Sequence, residues 1–136
     1  VDYMAPTQEP AATIPLVNQY YVKAIQELCE SHGAQFMLVS TPSPVNWNYA
    51  RHAGIADFAE ELGCDYLDLN LEDVKIDWTQ DTFDKGDHLN HFGAVKVTAF
   101  LADYLKSHGG LTDHRGDPNY QDWDQKWKDY SLLLDQ

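Results

Sequence analysis

The segment Gln35-Phe36-Met37-Leu38-Val39-Ser40 is a short, continuous apolar run. Such runs are typical of strands that are buried on both faces of a parallel sheet. Thr41-Pro42-Ser43-Pro44 interrupts the run, since closely spaced prolines mark a loop. Ligands of open α/β sheets bind beside the carboxyl ends of the strands, so this loop is a candidate binding region. A second strand is predicted over Cys64-Asp65-Tyr66-Leu67-Asp68-Leu69.

Amphipathic helices are predicted on either side of these strands. They run from Leu16 to the helix-ending Gly33, from a capping Asn46 or Asn48 to Gly63, and from about His91 to Ser107, ahead of Gly109-Gly110. The apolar residues of each helix fall on one face: Val17, Tyr21, Ala24, Ile25 and Leu28; then Ala50, Ala53, Ala56, Ala59 and Leu62; then Val97, Phe100, Leu101, Tyr104 and Leu105, which are predicted to face inward.

This alternation of helices and strands predicts an α/β fold with right-handed crossovers and a parallel sheet. Two strands alone do not make a stable sheet. Either the segments Leu71–Trp78 and Val1–Thr13 add strands, or the chain is part of a larger domain. We expect residues 1–15 to form an extended lead-in, residues 16–110 the α/β region, and residues 111–136 a C-terminal helical strap. The helix of the strap begins after Pro118 and carries apolar residues at helical spacing: Tyr120, Trp123, Trp127, Tyr130 and Leu134.

The composition restricts the class of partner. The chain has 136 residues, of which 43% are hydrophobic, so a folded domain is expected. A net charge of −13, from 22 acidic and 9 basic residues, argues against binding to nucleic acid or to an anionic membrane surface. No apolar run approaches the roughly 20 residues of a membrane span. Cys29 and Cys64 match no zinc motif and are predicted to be small buried hydrophobes. No cofactor is indicated.

The candidate site is the segment Asp84-Lys85-Gly86-Asp87-His88-Leu89-Asn90-His91-Phe92-Gly93-Ala94, directly before the third helix. An Asp three or four residues before a His can place its carboxylate on one ring nitrogen. The other nitrogen is then free to take a proton from a nucleophile or a water. The alternative is a structural one, in which Asn90 or Asp87 caps the helix and the histidines are solvated around it.

At this point the sequence resembles the C-terminal half of the SGNH (GDSL-like) esterase and acyltransferase superfamily, over about residues 16 to 108. Three features carry the resemblance: the helix and strand ending at Ser40-Thr41-Pro42-Ser43-Pro44, with Trp47 shortly after; the helix and strand ending at Asp65-Tyr66-Leu67-Asp68-Leu69-Asn70; and Asp87-His88-Leu89-Asn90 followed by Gly93-Ala94. The last is similar to the family's Asp-x-x-His motif, which supplies two members of a Ser-His-Asp triad. The resemblance implies a partial doubly wound, flavodoxin-like parallel sheet flanked by helices.

By the resemblance, His88 is the general base of such a triad. The family places the orienting Asp three residues earlier, where this chain has Lys85. Asp84 or Asp87 must therefore serve, so the candidate catalytic residues are His88, Asp84 and Asp87. Asp84 is preferred, because a bulge at Lys85-Gly86 brings its carboxylate back to the ring. Adjacent side chains usually diverge, which counts against Asp87.

The family's nucleophile lies in a Gly-Asp-Ser-like turn, and none of its nucleophile or oxyanion motifs occurs here. None of the five serines (Ser31, Ser40, Ser43, Ser107 and Ser131) follows such a turn. We therefore expect the chain to be the C-terminal portion of an SGNH-like hydrolase or O-acyltransferase that is inactive by itself. The resemblance implies acyl esters of carbohydrates or cell-wall polymers as substrates, and an extracellular or cell-surface location.

Two other functions remain open. Asp84, Asp87, His88 and His91 have the spacing of one helix face and together would hold a divalent metal ion, although Gly86 weakens a helix here. Alternatively, the chain is a non-catalytic interaction module whose exposed sheet edge pairs with another chain or with a second copy in a homo-oligomer.

Overall fold

Four α-helices and two β-strands make up the regular structure of residues 2–108 and 110–134, which a computed structural model of the chain describes. In chain order they are α1 (Leu16–Ser31), β1 (Met37–Ser40), α2 (Tyr49–Leu62), β2 (Asp65–Asp68), α3 (His91–His108) and α4 (Gln121–Leu134), with a 3₁₀ turn at Pro118–Tyr120. The predicted order of elements is confirmed. Among these elements, no helix is both long and apolar enough to cross a membrane.

The two strands lie side by side and are parallel, with Met37 opposite Asp65 and Ser40 opposite Asp68. This confirms the predicted pairing, although each strand is shorter than its apolar segment. The fold is therefore mixed α/β with a two-stranded parallel sheet. Neither residues 2–13 nor Leu71–Trp78 adds a strand within the described residues. Of the two alternatives for completing the sheet, the one in which these segments add strands is therefore wrong for the described residues.

Local sequence signals account for the helix boundaries. The side chain of Asn48, rather than that of Asn46, caps α2 by accepting a hydrogen bond from the Arg51 N–H at 3.0 Å. Gly63 and Gly33 follow α2 and α1 with φ angles of 67° and 72°, a left-handed conformation that glycine adopts without a steric cost. These residues fix where each helix ends ahead of the strand that follows it.

The core is small and lies around α2 and β2. Its buried hydrophobic side chains are Met4, Ala50, Phe58, Ala59, Leu67, Leu69 and Val74. Cys29 and Cys64 are free thiols that are only half-buried, so the prediction of two buried cysteines is wrong.

Helix α1 turns its apolar face outward. Leu16, Tyr20 and Leu28 are 81%, 68% and 60% exposed. The polar side of α1 faces α2, where the Lys23 ammonium pairs with Glu61 at 2.7 Å and the Gln26 amide donates to the Leu62 carbonyl at 3.1 Å. The apolar stripe seen in the sequence is real, but it has no partner among the described residues.

The chain separates into two compact units, one up to Leu101 and the other beginning at Ala102. In the second unit, the Asp117 carboxylate caps the 3₁₀ turn by accepting from the Asn119 N–H at 2.9 Å. Helix α4 follows, as the spacing of its aromatic residues predicts, and Trp123 and Trp127 on it are exposed. The candidate site lies entirely in the first unit.

We expect Gly54→Ala to destabilise the chain by about 1–3 kcal/mol, the usual cost of overpacking a filled site. Gly54 lies in α2, and a methyl group there would collide with the backbone carbonyl of Ala12. The segment that contains Ala12 is held to α2 by a 2.8 Å hydrogen bond from the Ala12 N–H to the Ala50 carbonyl. Urea unfolding would measure the loss. Asp57→Ala, an exposed change on the same helix, is the control, and an equal effect of the two changes would contradict this packing.

Candidate functional site

The site lies at the carboxyl edge of the sheet. Because β1 and β2 are parallel, Ser40 and Asp68 end the two strands at the same edge. Two long loops leave this edge, one from Thr41 to Asn48 and the other from Leu69 to Asn90. Loops at this position are where α/β proteins usually hold ligands.

His88 and Asp84 form a hydrogen-bonded pair on the second loop. The Nδ1 atom of His88 lies 2.6 Å from Oδ2 of Asp84. The other carboxylate oxygen, Oδ1, accepts from the backbone N–H groups of Asp87 and His88 at 3.0 and 2.7 Å. The predicted pairing of His88 with Asp84 is thus confirmed as geometry.

The backbone between the two residues explains the pairing. Lys85 and Gly86 have φ angles of 60° and 112°, which fold the chain back so that Asp84 reaches the ring four residues later. Only glycine adopts the second angle readily. A methyl group on Gly86 would also lie 2.7 Å from Cγ of Pro44. The bulge inferred at Lys85-Gly86 is therefore present.

Asp87 lies closer to the imidazole than the sequence analysis expects. Its Oδ2 atom is 3.4 Å from Nδ1 of His88, within ion-pair range. Its Oδ1 atom accepts a hydrogen bond from the side-chain amide of Asn46. The expectation that the adjacent side chains diverge is wrong, because Asn46 holds the Asp87 carboxylate in place.

Electrostatics at the pair follow from these contacts. The hydrogen bond that the His88 ring donates to Asp84 is the main cause that raises the pKa of His88 above its ordinary 6.5, and the charge of Asp87 adds to it. In return, the hydrogen bonds from His88 lower the pKa of Asp84 below 3.8. The His88 side chain is 72% exposed, so solvent screens the interaction. A carboxylate–imidazolium pair is the expected state at weakly acidic pH.

The expected effect of Asp84→Asn is a fall in the His88 pKa toward 6.5, measured by an NMR titration of the ring. Asparagine keeps the oxygen that accepts the two backbone N–H groups but removes the charge.

The two shifted pKa values also make the folding stability depend on pH, with a definite sign for each residue. The raised histidine pKa contributes stability below about pH 6.5, and the contribution disappears as pH rises through the folded pKa. The lowered aspartate pKa contributes above about pH 3.8 and is lost as pH falls through its folded value. An unchanged His88 pKa in Asp84→Asn would contradict the pair.

The capping alternative holds for Asn90 and coexists with the pair. Its Oδ1 atom accepts from the N–H groups of Phe92 and Gly93 at 2.9 and 3.2 Å, at the start of α3. Its side-chain amide donates to the Gln80 carbonyl at 2.6 Å. Asn90 therefore anchors α3, and the Asp84–His88 pair lies immediately before this anchor.

A cavity of about 530 Å³ opens beside His88. Its polar wall comes from the strand end and the two loops: Ser40, Thr41, Ser43, Asn46, Asp87 and His88. Its apolar wall comes from β1, α1 and α2, including Val39, Val22 and Phe58. The sheet is open on this side, because β1 pairs only with β2 in the described residues. The histidine thus borders a space large enough for a small molecule.

No serine within the described residues is bonded to His88. Ser40 Oγ pairs with the Tyr66 hydroxyl at 2.9 Å, and Ser43 Oγ donates to the carbonyls of Gly86 and Asp87 at 3.3 and 3.4 Å. The remaining serines donate to helix carbonyls: Ser31, Ser107 and Ser131. Ser31 and Ser107 also lie 3.1 and 2.8 Å from Nδ1 of the neighbouring His32 and His108, but each of those nitrogens donates to a helix carbonyl and therefore carries a proton. A nitrogen that already carries a proton cannot serve as the base for the hydroxyl beside it.

The four-residue metal arrangement does not form as predicted. Residues 84–90 are not helical, and α3 begins only at His91. Asp84, Asp87 and His88 do each present one ligand atom within 4.8 Å of the others, whereas His91 is outside this group. The His91 ring instead lies edge-on to Phe92 at 5.7 Å. A divalent cation would thus have three candidate protein ligands on one loop.

A buried polar cluster around Asp68 was missed by the sequence analysis. The Asp68 carboxylate is 5% exposed and accepts from the Trp47 Nε1–H at 2.9 Å, from the His52 ring at 2.8 Å and from the Tyr66 hydroxyl at 3.0 Å. Burial raises the pKa of Asp68, but hydrogen bonds from Asn70 and Trp47 outweigh it and hold the pKa below 3.8. Burial likewise raises the pKa of Tyr66, so its hydroxyl stays protonated. Trp47 and Asp68 lie far apart in the sequence, and no spacing rule joins them.

Comparison of the chain with protein-family models, with curated proteins and with solved structures finds no match in any of the three.

Proposed function

We propose that the chain carries the histidine and aspartate of a Ser-His-Asp acyl-transfer site, as the C-terminal portion of an SGNH-like hydrolase or O-acyltransferase. The 2.6 Å hydrogen bond between His88 Nδ1 and Asp84 Oδ2 is the observation that carries this proposal. It supports the roles of general base for His88 and orienting acid for Asp84. Asp87 adds a second negative charge beside the ring.

In this function, Asp84 keeps the proton on Nδ1 and leaves Nε2 as the acceptor. Nε2 takes the proton of an attacking hydroxyl, and the imidazolium that forms is stabilised by the two neighbouring carboxylates. The same proton is then delivered to the leaving alcohol. The nucleophile and the oxyanion donors have to come from outside the described residues, since none of the five serines there is activated.

The unpaired edge of β1 is the side from which these groups would arrive. In the proposed architecture, β1 and β2 are two strands of a doubly wound, flavodoxin-like sheet, and a further strand lies against β1. The half-exposed Val39 and the outward apolar face of α1 support this, since no described residues bury either of these apolar surfaces. Self-association or strand addition at this edge is the interaction-module alternative.

The substrate class is an acyl ester, of the carbohydrate or cell-wall type, and the location is extracellular or at the cell surface. The cavity supports a substrate with an apolar part and a polar part, because apolar walls meet a polar wall at His88.

The test is hydrolysis of p-nitrophenyl acetate and of an O-acetylated polysaccharide. We expect no turnover by residues 1–136 alone, since no serine there is activated. The full product of the gene that encodes these residues should hydrolyse the ester. Robust turnover by residues 1–136, or none by the full product on either substrate, would contradict the proposal.

Metal binding is the second candidate function, favoured by the convergence of Asp84, Asp87 and His88 within 4.8 Å. Zinc would compete with the proton at the imidazole, because a ligating histidine must be deprotonated. Added zinc should then lower the apparent pKa of His88 in the NMR titration. A titration that zinc leaves unchanged would exclude this function and leave the acyl-transfer proposal intact.

A further inference from the structure

The Asp68 carboxylate anchors a chain of hydrogen bonds that leads away from the buried cluster. Its Oδ1 atom accepts from the backbone N–H of Asn70 at 2.9 Å and from the side-chain amide of Asn70 at 2.7 Å. Three further donors occupy Oδ2: Trp47, His52 and Tyr66. A carboxylate with five donors has one stable orientation, so it fixes the Asn70 side chain.

The Asn70 amide joins this anchor to the loop that follows β1. Its Nδ2 atom also donates to the Thr41 carbonyl at 3.0 Å. Its Oδ1 atom accepts from the backbone N–H of Ser43 at 2.8 Å, and from the Tyr3 hydroxyl at 3.1 Å. The Asn70 side chain therefore makes four hydrogen bonds, and two of them hold residues 41–43 against the end of β2.

Ser43 then connects this loop to the loop of His88. Its hydroxyl donates to the carbonyls of Gly86 and Asp87, the two residues directly before His88. Pro44 packs against the α-carbon side of Gly86, where a methyl group would meet Cγ at 2.7 Å. The Asn46 side chain, three residues after Ser43, holds the Asp87 carboxylate. Contacts from residues 43–46 thus fix both the backbone before His88 and the Asp87 carboxylate.

We propose that Asn70 and Ser43 are positioning residues for His88, and that the buried Asp68 carboxylate is their anchor. The series Asp68–Asn70–Ser43–Gly86/Asp87 holds the imidazole at the cavity with Nε2 open and with both acids beside Nδ1. The inference rests on the proposed function for its meaning in catalysis. Its physical content, the position of His88, is measurable without any substrate.

The test compares Ser43→Ala with Ser43→Thr in residues 1–136 by NMR. Threonine keeps the hydroxyl and alanine removes it. In Ser43→Ala we expect amide hydrogen exchange at Asp87 and His88 to accelerate about five- to tenfold, the effect of losing one hydrogen bond. The pKa of His88 should fall toward its ordinary value, and the fraction of the Nδ1–H tautomer should decrease. Ser43→Thr should restore all three quantities.

A second variant tests the middle of the series. Asn70→Asp has the same shape but replaces the amide donor with a charge that repels Asp68. It should reproduce the changes at His88 seen in Ser43→Ala. Ser31→Ala, at the exposed end of α1, is the control and should leave His88 unchanged. Circular dichroism verifies that each variant is folded.

The outcomes separate this inference from the proposed function. Folded Ser43→Ala with unchanged exchange, pKa and tautomer at His88 would overturn the positioning role, whatever the full gene product does with esters. A failure of threonine to restore the values would also overturn it, because the hydroxyl would then not be the cause. An inactive full product with the expected NMR changes would refute acyl transfer and leave the positioning of His88 standing.

Discussion

Under the proposed acyl-transfer function, His88→Ala in the full gene product should reduce ester turnover by at least about 10⁴-fold, the loss expected when one member of a catalytic triad is removed. The effect should fall on kcat rather than on KM, because the proposed base transfers a proton in the transition state and does not bind the ester in the ground state. The His88 side chain is 72% exposed, so its removal should change the free energy of unfolding little at a pH above the raised pKa of His88, where the ion pair no longer contributes. The measurements are steady-state kinetics and urea unfolding.

His91→Ala is the matched control for this prediction. His91 is an exposed histidine three residues away, and its ring contacts Phe92 rather than the acids. The His91→Ala variant should retain turnover within a small factor of the wild-type value. Equal losses in the two variants would indicate a general effect of the loop, and retained activity in His88→Ala would eliminate the proposed base.

Asp68→Ala should lower the free energy of unfolding by about 3–5 kcal/mol, the usual result of removing one partner from a buried charged network. The substitution leaves Trp47, His52 and Asn70 with buried donors that have lost their acceptor. Asp68 is 5% exposed, so water does not readily replace the carboxylate. Urea unfolding of residues 1–136 would measure the effect.

Asp65→Ala, at the opposite end of the same strand, is the control, because Asp65 is exposed. Its effect should stay within about 0.5 kcal/mol, as for most surface changes. If Asp68→Ala is no more damaging than Asp65→Ala, the cluster is not the structural anchor that its hydrogen bonds indicate.

The secondary structure was predictable because its signals are local. Asn48 and Gly63 mark the ends of α2 through side-chain capping and a left-handed backbone, and both are readable from residue type. The pairing of β1 with β2 followed from the helix between them, since such crossovers join parallel strands. The exposure of the apolar face of α1 was not predictable. An apolar stripe that includes Val17 and Tyr21 indicates that this face is suited to a partner. It does not indicate whether another part of the same chain supplies that partner.

The candidate site was predictable in its local part only. Asp84 and His88 are four residues apart, and a glycine between them allows the reversal that joins them. The Asp68 cluster needs Trp47 from the loop before α2 and His52 from the first turn of α2, together with the end of β2. Such contacts depend on how a helix lies on a strand, which sequence spacing does not encode. A polar residue at the end of an apolar strand, as Asp68 is, was the one available signal.

The outward apolar face of α1 has a consequence for calorimetry. Side chains such as Leu16 and Tyr20 are already hydrated in the folded chain, so unfolding does not newly expose them to water. The heat-capacity change of unfolding comes mainly from newly hydrated apolar area, at about 12–15 cal/mol/K per residue in ordinary domains. For a chain of 136 residues that average corresponds to about 1.6–2.0 kcal/mol/K. Residues 1–136 should fall below this range, and their stability should vary with temperature along an unusually flat curve.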